Sequence, residues 1–283
     1  MTAGLPNADG IDCWIFDLDN TLYSPSECDL SQQMEAAISG FIERRLGVSA
    51  RESDRLRKVW NSRYGMTLGG LITECGVDPH DYLEETHRLD LSSLHPSPCL
   101  QRLVARLPGR RLIHTNANVA HAERVLDRLG LSAHFETVFD VEAAGFLPKP
   151  DPEGYRRLLA RHGVDPRHAV MVEDTARNLI PAAASGMTTV WLRTVRPQAA
   201  RGFDPAAVHH IADKLEDWLA GGAGGIRDKR HSAGPAGGLG SLRRPPARVG
   251  WLLAGIPPAP AASQSSSLSA MWWTAAGSRP RAA

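Results

Sequence analysis

Five short, apolar, β-rich runs separated by helical patterns constrain this chain more than any other feature. They lie at residues 11–16, 111–114, 137–139, 168–172 and 188–192. Strands that alternate with helices require crossover connections, and such crossovers build a parallel sheet covered by helices on both faces. Helix signals fall where this scheme needs them. Asn118 is placed to cap a helix carrying Val119, Ala122, Val125, Leu126 and Leu129 that Gly130 closes, and Asp151-Pro152 opens another that ends at Gly163. The predicted fold class is α/β, a Rossmann-like parallel sheet.

One interval breaks the rhythm. About 90 residues separate the first run from Arg111 without a convincing strand. Leu30, Met34, Ala37, Ile38 and Phe41 recur at helical spacing, and Ser49-Ala50-Arg51-Glu52 is a capping box leading into Leu56, Val59 and Trp60. Two more helical stretches, at 68–75 and 80–89, complete the set. A connection this long has structure of its own. The expectation is a small all-helical cap, residues 24–95, inserted after the first strand of a core made from residues 1–23 and 96–220.

Residues 221–283 differ from the rest: 39 of these 63 are Gly, Pro, Ala or Ser, in no regular period. Such a segment buries too little apolar area to offset its ordering entropy, so disorder is expected there. Seven basic residues and no acidic one follow Asp228. The first 228 residues hold 25 basic against 31 acidic side chains, a net −6 that argues against nucleic-acid binding by the core. Cys13, Cys28, Cys75 and Cys99 form no C-x-x-C pair and read as reduced thiols. No membrane-length apolar segment and no secretory leader is evident, so a cytoplasmic location is expected.

The chemistry-bearing residues close the apolar runs. Ligands of open parallel sheets sit beyond the carboxyl ends of the strands. Asp17 and Asp19 follow the first run, His114-Thr115-Asn116 ends the second, Lys149 lies between Pro148 and Pro150, and Glu173-Asp174 follows the fourth. Two acids two apart on a continuing strand point the same way, and like charges that close need a cation or a shared proton. Each element alone has a plain alternative: an acidic turn, a loop cap, a surface lysine, a helix start. Together, on one rim, they suit metal-assisted handling of a phosphate.

In order and context, Asp17-Leu18-Asp19-Asn20-Thr21, Thr115-Asn116, Lys149 and Glu173-Asp174 resemble the four motifs of the haloacid dehalogenase-like (HAD) hydrolase superfamily, over residues 11 to about 195. The helical insert, the run Tyr64-Gly65-Met66-Thr67-Leu68-Gly69-Gly70-Leu71 and the segment from Val170 to Leu179 look more narrowly like its pyrimidine 5′-nucleotidase branch. The resemblance implies a Mg²⁺-dependent phosphomonoesterase. Asp17 would be the nucleophile that becomes an aspartyl-phosphate, and Asp19 the proton donor and acceptor. Thr115, Asn116 and Lys149 would hold the phosphate. Asp17, Asp174 and the backbone carbonyl of Asp19 would hold Mg²⁺. Glu173 and Asn178 would act from behind, Glu173 through a water on the metal and Asn178 by orienting Lys149 or Asp174. Tyr64, Met66 and Thr67 are candidate substrate contacts from the cap.

The implied partner is a small phosphorylated metabolite such as a pyrimidine 5′-mononucleotide. Phosphoglycolate or a sugar phosphate, a phosphomutase activity, and a scaffold that recruits an unknown partner through the basic tail are the alternatives. A dehalogenase needs no second acid, so Asp19 speaks against that chemistry.

Overall fold

A computed structural model describes residues 10–221 of the chain. Apart from Gly221, the tail expected to be disordered lies outside the described residues.

Six parallel strands form one sheet: β1 Cys13–Phe16, β2 Arg110–His114, β3 Thr137–Phe139, β4 Ala169–Glu173, β5 Thr188–Leu192 and β6 His210–Ala212, in the order β3-β2-β1-β4-β5-β6. Alternation along the strands divides the core between two faces. Trp14, Phe16, Ile113, Val170 and Val172 pack on one face against α5 (Pro98–Ala105), α6 (Val119–Leu129) and α9 (Leu215–Ala220). Cys13, Ile15, Leu112, Ala169 and Met171 pack on the other against α7 (Pro152–His162) and α8 (Leu179–Ala184). Strands buried on both faces explain why the runs read as continuously apolar. The α/β class read from the sequence holds.

Register positions the site. Phe16 lies opposite Ile113 on one side and Val172 on the other. The next residue on each strand is therefore Asp17, His114 or Glu173, so the ends of β1, β2 and β4 emerge side by side. The chain crosses from β1 to β2 and later returns to the other side of β1 as β4. That reversal opens the crevice in which ligands of such sheets sit.

Besides α5, the long interval holds four helices: α1 Leu30–Leu46, α2 Ala50–Tyr64, α3 Thr67–Cys75 and α4 Pro79–Thr86. The Ser49 side chain accepts from Glu52 N, as the capping signature predicts. Phe41, Ile42, Trp60, Leu68, Leu71, Tyr82 and Leu83 form a third apolar cluster, joined by Val141 from the loop after β3. α1 is divided between two cores: Leu30, Met34 and Ala37 pack with the sheet, whereas Ile38, Phe41 and Ile42 pack among the helices. Leu89, Leu91 and Leu94 also join the sheet's core. We propose the four helices as a cap domain with the limits 24 and 95.

The two connections to this helical group are tied together. The Gln33 side chain donates to Asp90 O and accepts from Asp90 N, at 3.0 and 2.9 Å, and the Ser93 hydroxyl donates to Asp29 Oδ1 at 2.7 Å. α6 holds the returning connection through its carbonyls: Arg124 donates to His87 O and Leu89 O, and Arg128 to Leu91 O and Ser92 O. Elsewhere the Arg177 guanidinium reaches from the segment after β4 to Asn61 O and Gly65 O at the end of α2.

Candidate active site

A cavity of about 320 Å³ opens where β1, β2 and β4 end beneath the helical group. Asp17, Asp19, Thr115, Asn116, Lys149, Glu173, Asp174 and Asn178, named from the sequence, all line it.

Its floor is a buried ion cluster. Lys149 Nζ donates to Asp17 Oδ1 at 2.6 Å, to Glu173 Oε2 at 2.7 Å and to the His114 carbonyl at 2.8 Å. Burial pulls the Lys149 ammonium toward deprotonation, but the two carboxylates outweigh it and hold the charge. Thr21, whose hydroxyl donates to Asp17 Oδ2 at 2.8 Å, fixes the other oxygen of Asp17. Asp17 thus leaves its strand with both oxygens bonded.

The Asn116 side chain turns toward Lys149. Its side-chain oxygen accepts from Lys149 N at 2.8 Å and its amide nitrogen donates to Lys149 O at 3.3 Å, so it fastens the lysine's backbone. The Thr115 hydroxyl accepts from Ala117 N and shapes the loop after β2. Glu173 is bound to Lys149 and, through Oε1, to Thr175 N. Asn178 makes no side-chain hydrogen bond to Lys149 or Asp174; its carbonyl accepts from the Tyr155 hydroxyl and its Oδ1 is buried without a partner.

Three carboxylates crowd this floor. Ligand oxygens of Asp17, Glu173 and Asp174 lie within 4.8 Å of one another. Burial, reinforced by Asp17, pushes the Glu173 carboxyl well above the usual range and Asp174 up to about 6. Asp174 Oδ2 is buried without a hydrogen bond, with Arg196 no nearer than 3.6 Å. An unpartnered carboxylate oxygen among excess negative charge fits a hard divalent cation such as Mg²⁺. The Asp19 carboxylate stands apart from this set, because the chain turns at residues 19–21 and carries it to other partners.

Asp19 Oδ1 accepts from the Tyr23 hydroxyl at 2.7 Å and lies 2.9 Å from His121 Nε2. Burial pushes the Asp19 carboxyl up, yet His121 and Tyr23 outweigh it and hold the group down at about 2. His121, Tyr23 and Arg196 escaped the sequence reading, and Thr21 entered it only as part of the motif from Asp17 to Thr21. His121 lies on the apolar face of an amphipathic helix, where a histidine ordinarily reads as packing, and its distance from Asp19 in the chain hid the pair.

From the helical group, Met66 and Thr67 line the cavity with Arg57, Asn61 and His87. Tyr64 does not. It ends α2 before the turn at Gly65, and its hydroxyl donates to Glu74 on the outside of the group.

Comparison with known proteins decides the ancestry of this arrangement. The family model of haloacid dehalogenase-like hydrolases matches residues 11–186. The chain belongs to that family. This HAD chain is 27% identical over 195 residues to phosphate metabolism protein 8 of Saccharomyces cerevisiae, covering 62% of the present chain and 59% of the yeast protein. It is 30% identical over 128 residues to the fructose-1-phosphate phosphatase YqaB of Escherichia coli, covering 43% and 67%. The chain therefore spans less than two thirds of the yeast relative. Among solved structures, CbbY of Rhodobacter sphaeroides in complex with phosphate shares the HAD fold with a TM-score of 0.53 at 19% identity, over 75% of this chain and 98% of that one. Among the described residues, no helix is long and apolar enough to cross a membrane.

Proposed function

We propose that this protein is a Mg²⁺-dependent phosphomonoesterase that acts through an aspartyl-phosphate on a small phosphate ester, with a pyrimidine 5′-mononucleotide as its substrate. The observation that carries the reading is Asp17, doubly hydrogen-bonded and paired with buried Lys149, at the floor of a cavity that the helical group overhangs. Relatives named as phosphatases of small metabolites support it.

Asp17, Asp174 and the Asp19 carbonyl would hold Mg²⁺, which when bound neutralises charge on the phosphate and on the crowded carboxylates. Lys149 and Thr21 fix the Asp17 carboxylate before the ester arrives, so no reorganisation is needed at the moment of attack. An Asp17 oxygen attacks phosphorus and the ester P–O bond breaks; Asp19, ionised in the free protein, takes up a proton beside the negatively charged ester and gives it to the leaving alkoxide. Asp19 then takes a proton from the water that attacks the aspartyl-phosphate, and inorganic phosphate and free Asp17 are left. Lys149 and the backbone amides after Thr115 face the charge that spreads over the phosphate oxygens.

The polar side chains overhead, Arg57, Asn61 and Thr67, favour a hydrogen-bonding leaving group over an apolar one. The test is phosphate release from uridine, cytidine and purine 5′-monophosphates, phosphoglycolate and hexose phosphates, with Asp17→Asn and chelated enzyme alongside. Expected are preference for the pyrimidine nucleotides, loss of turnover in Asp17→Asn and loss on chelation that Mg²⁺ restores. Equal turnover in Asp17→Asn would sink the mechanism, and preference for a sugar phosphate would overturn the substrate.

A further inference from the structure

The carboxylate of Asp19 is gripped on one side only. Both donors, Tyr23 and His121, meet at Oδ1, while Oδ2 has no hydrogen-bond partner among the described residues. Asp19 lines the cavity and keeps about a quarter of its side chain, 27%, exposed. Tyr23 belongs to the same local turn. His121 comes from the first turn of α6, 102 residues further along the chain.

His121 has no other evident duty. Its side chain is fully buried, and its ring meets His87 edge-on at 5.0 Å. Nδ1 is buried with no partner, so among the described residues the bond from Nε2 is the ring's sole hydrogen bond. A carboxylate can only accept, so Nε2 is the donor. Burying a ring with one nitrogen unsatisfied is costly, and an apolar residue among Ala122, Val125 and Leu126 would avoid that cost. The torsion that rotates an aspartate carboxylate is soft, so a single donor leaves its plane loose, whereas two donors from different elements fix it.

We propose that His121 is the positioning residue for Asp19: by holding Oδ1 against α6 it presents Oδ2 as the oxygen that exchanges protons with leaving group and water. The inference rests on the phosphomonoesterase reading. In the first half-reaction the Asp17–phosphorus bond forms, the ester P–O bond breaks, and the proton on Oδ2 passes to the leaving oxygen. In the second, water bonds to phosphorus, the Asp17–phosphorus bond breaks, and the water's proton passes to Oδ2.

The leaving group separates positioning from general damage. An alkoxide needs its proton as the bond breaks, whereas p-nitrophenolate leaves as a stable anion. Two variants of similar size differ in the donor alone: His121→Gln keeps an N–H, and His121→Met removes it. With the full chain and the 5′-mononucleotide that wild type turns over fastest, His121→Met is expected to lose kcat about 30-fold with KM within about 3-fold, and His121→Gln to stay within about 5-fold of wild type. With p-nitrophenyl phosphate, His121→Met is expected to give a pre-steady-state burst of p-nitrophenolate, because the first half-reaction is spared and the second is slowed. Equal kcat in the Gln and Met variants, or equal losses on both esters with no burst, would overturn the positioning role and leave the phosphatase reading standing. If wild type itself releases no phosphate, both fall together.

Discussion

The side-chain amide of Asn116 clasps the backbone of Lys149 from both directions, accepting from its N–H and donating to its carbonyl. The Asn116 side chain thus positions the loop that carries Lys149. Asn116→Ala strands a buried N–H and frees the lysine's loop. The expected cost is about 1–3 kcal/mol in urea unfolding, with kcat down about 10-fold. Asn116→Asp, which keeps the acceptor, should lose less in both measurements.

Among the described residues, Lys149 alone pairs with both Asp17 and Glu173. Removing one partner of a buried ion pair leaves charge without compensation, so Lys149→Met should destabilise the chain by about 3–5 kcal/mol and abolish phosphate release. Adding Glu173→Gln removes one stranded carboxylate and should recover part of the stability but none of the turnover. Urea midpoints of the single and double variants decide it; a Lys149→Met protein as stable as wild type would refute a structural role for the cluster.

Much of this was legible beforehand because β1 and β4 are buried along their whole length, and β1, β2 and β4 each lead directly into a site residue. The caps at Ser49, Asn118 and Asp151 were equally plain, since they use local hydrogen bonds. What escaped depends on long-range geometry. β6 is three residues long and carries no run to notice, and α9, with six residues, is too short for a periodic pattern. Tyr64 was drawn inward by its glycine-rich neighbours, yet Glu74 and the turn at Gly65 hold it outside. His121 shows the limit most sharply, for nothing in the residues around it points to Asp19.

Gly70 tests the packing of the helical group. A methyl group built there would lie 2.1 Å from the buried Trp60 ring, whose indole N–H is tied to Glu74. Gly70→Ala is therefore expected to lower stability by about 1–3 kcal/mol. Gly76→Asn, at a left-handed helix end with open space around it, should cost less. Thermal melts of the two variants make the comparison.

His87 supplies a pH dependence. Burial, with His121 alongside, holds its imidazole down at about 4. Between about 4 and the ordinary value near 6.5, the unfolded chain binds a proton that the folded chain refuses, so stability is complete above pH 6.5 and falls as pH drops through that window. The loss expected from this group by pH 4 is about 3 kcal/mol. His114, held well below its ordinary range by burial and by Lys149, adds to the same slope. Urea unfolding from pH 7 to 4 should show a shallower slope in His87→Leu than in wild type; identical slopes would refute the assignment.

The tied connections at residues 29–33 and 87–93 have a mechanical outcome. Laced to each other and to Arg124 and Arg128, they join the start of α1 and the segment after α4 to α6, and these elements are expected to move together. A second tie, from the Arg177 guanidinium to Gly65 O, fastens the end of α2 to the segment after β4, so lifting the helical group off the sheet requires that bond to break.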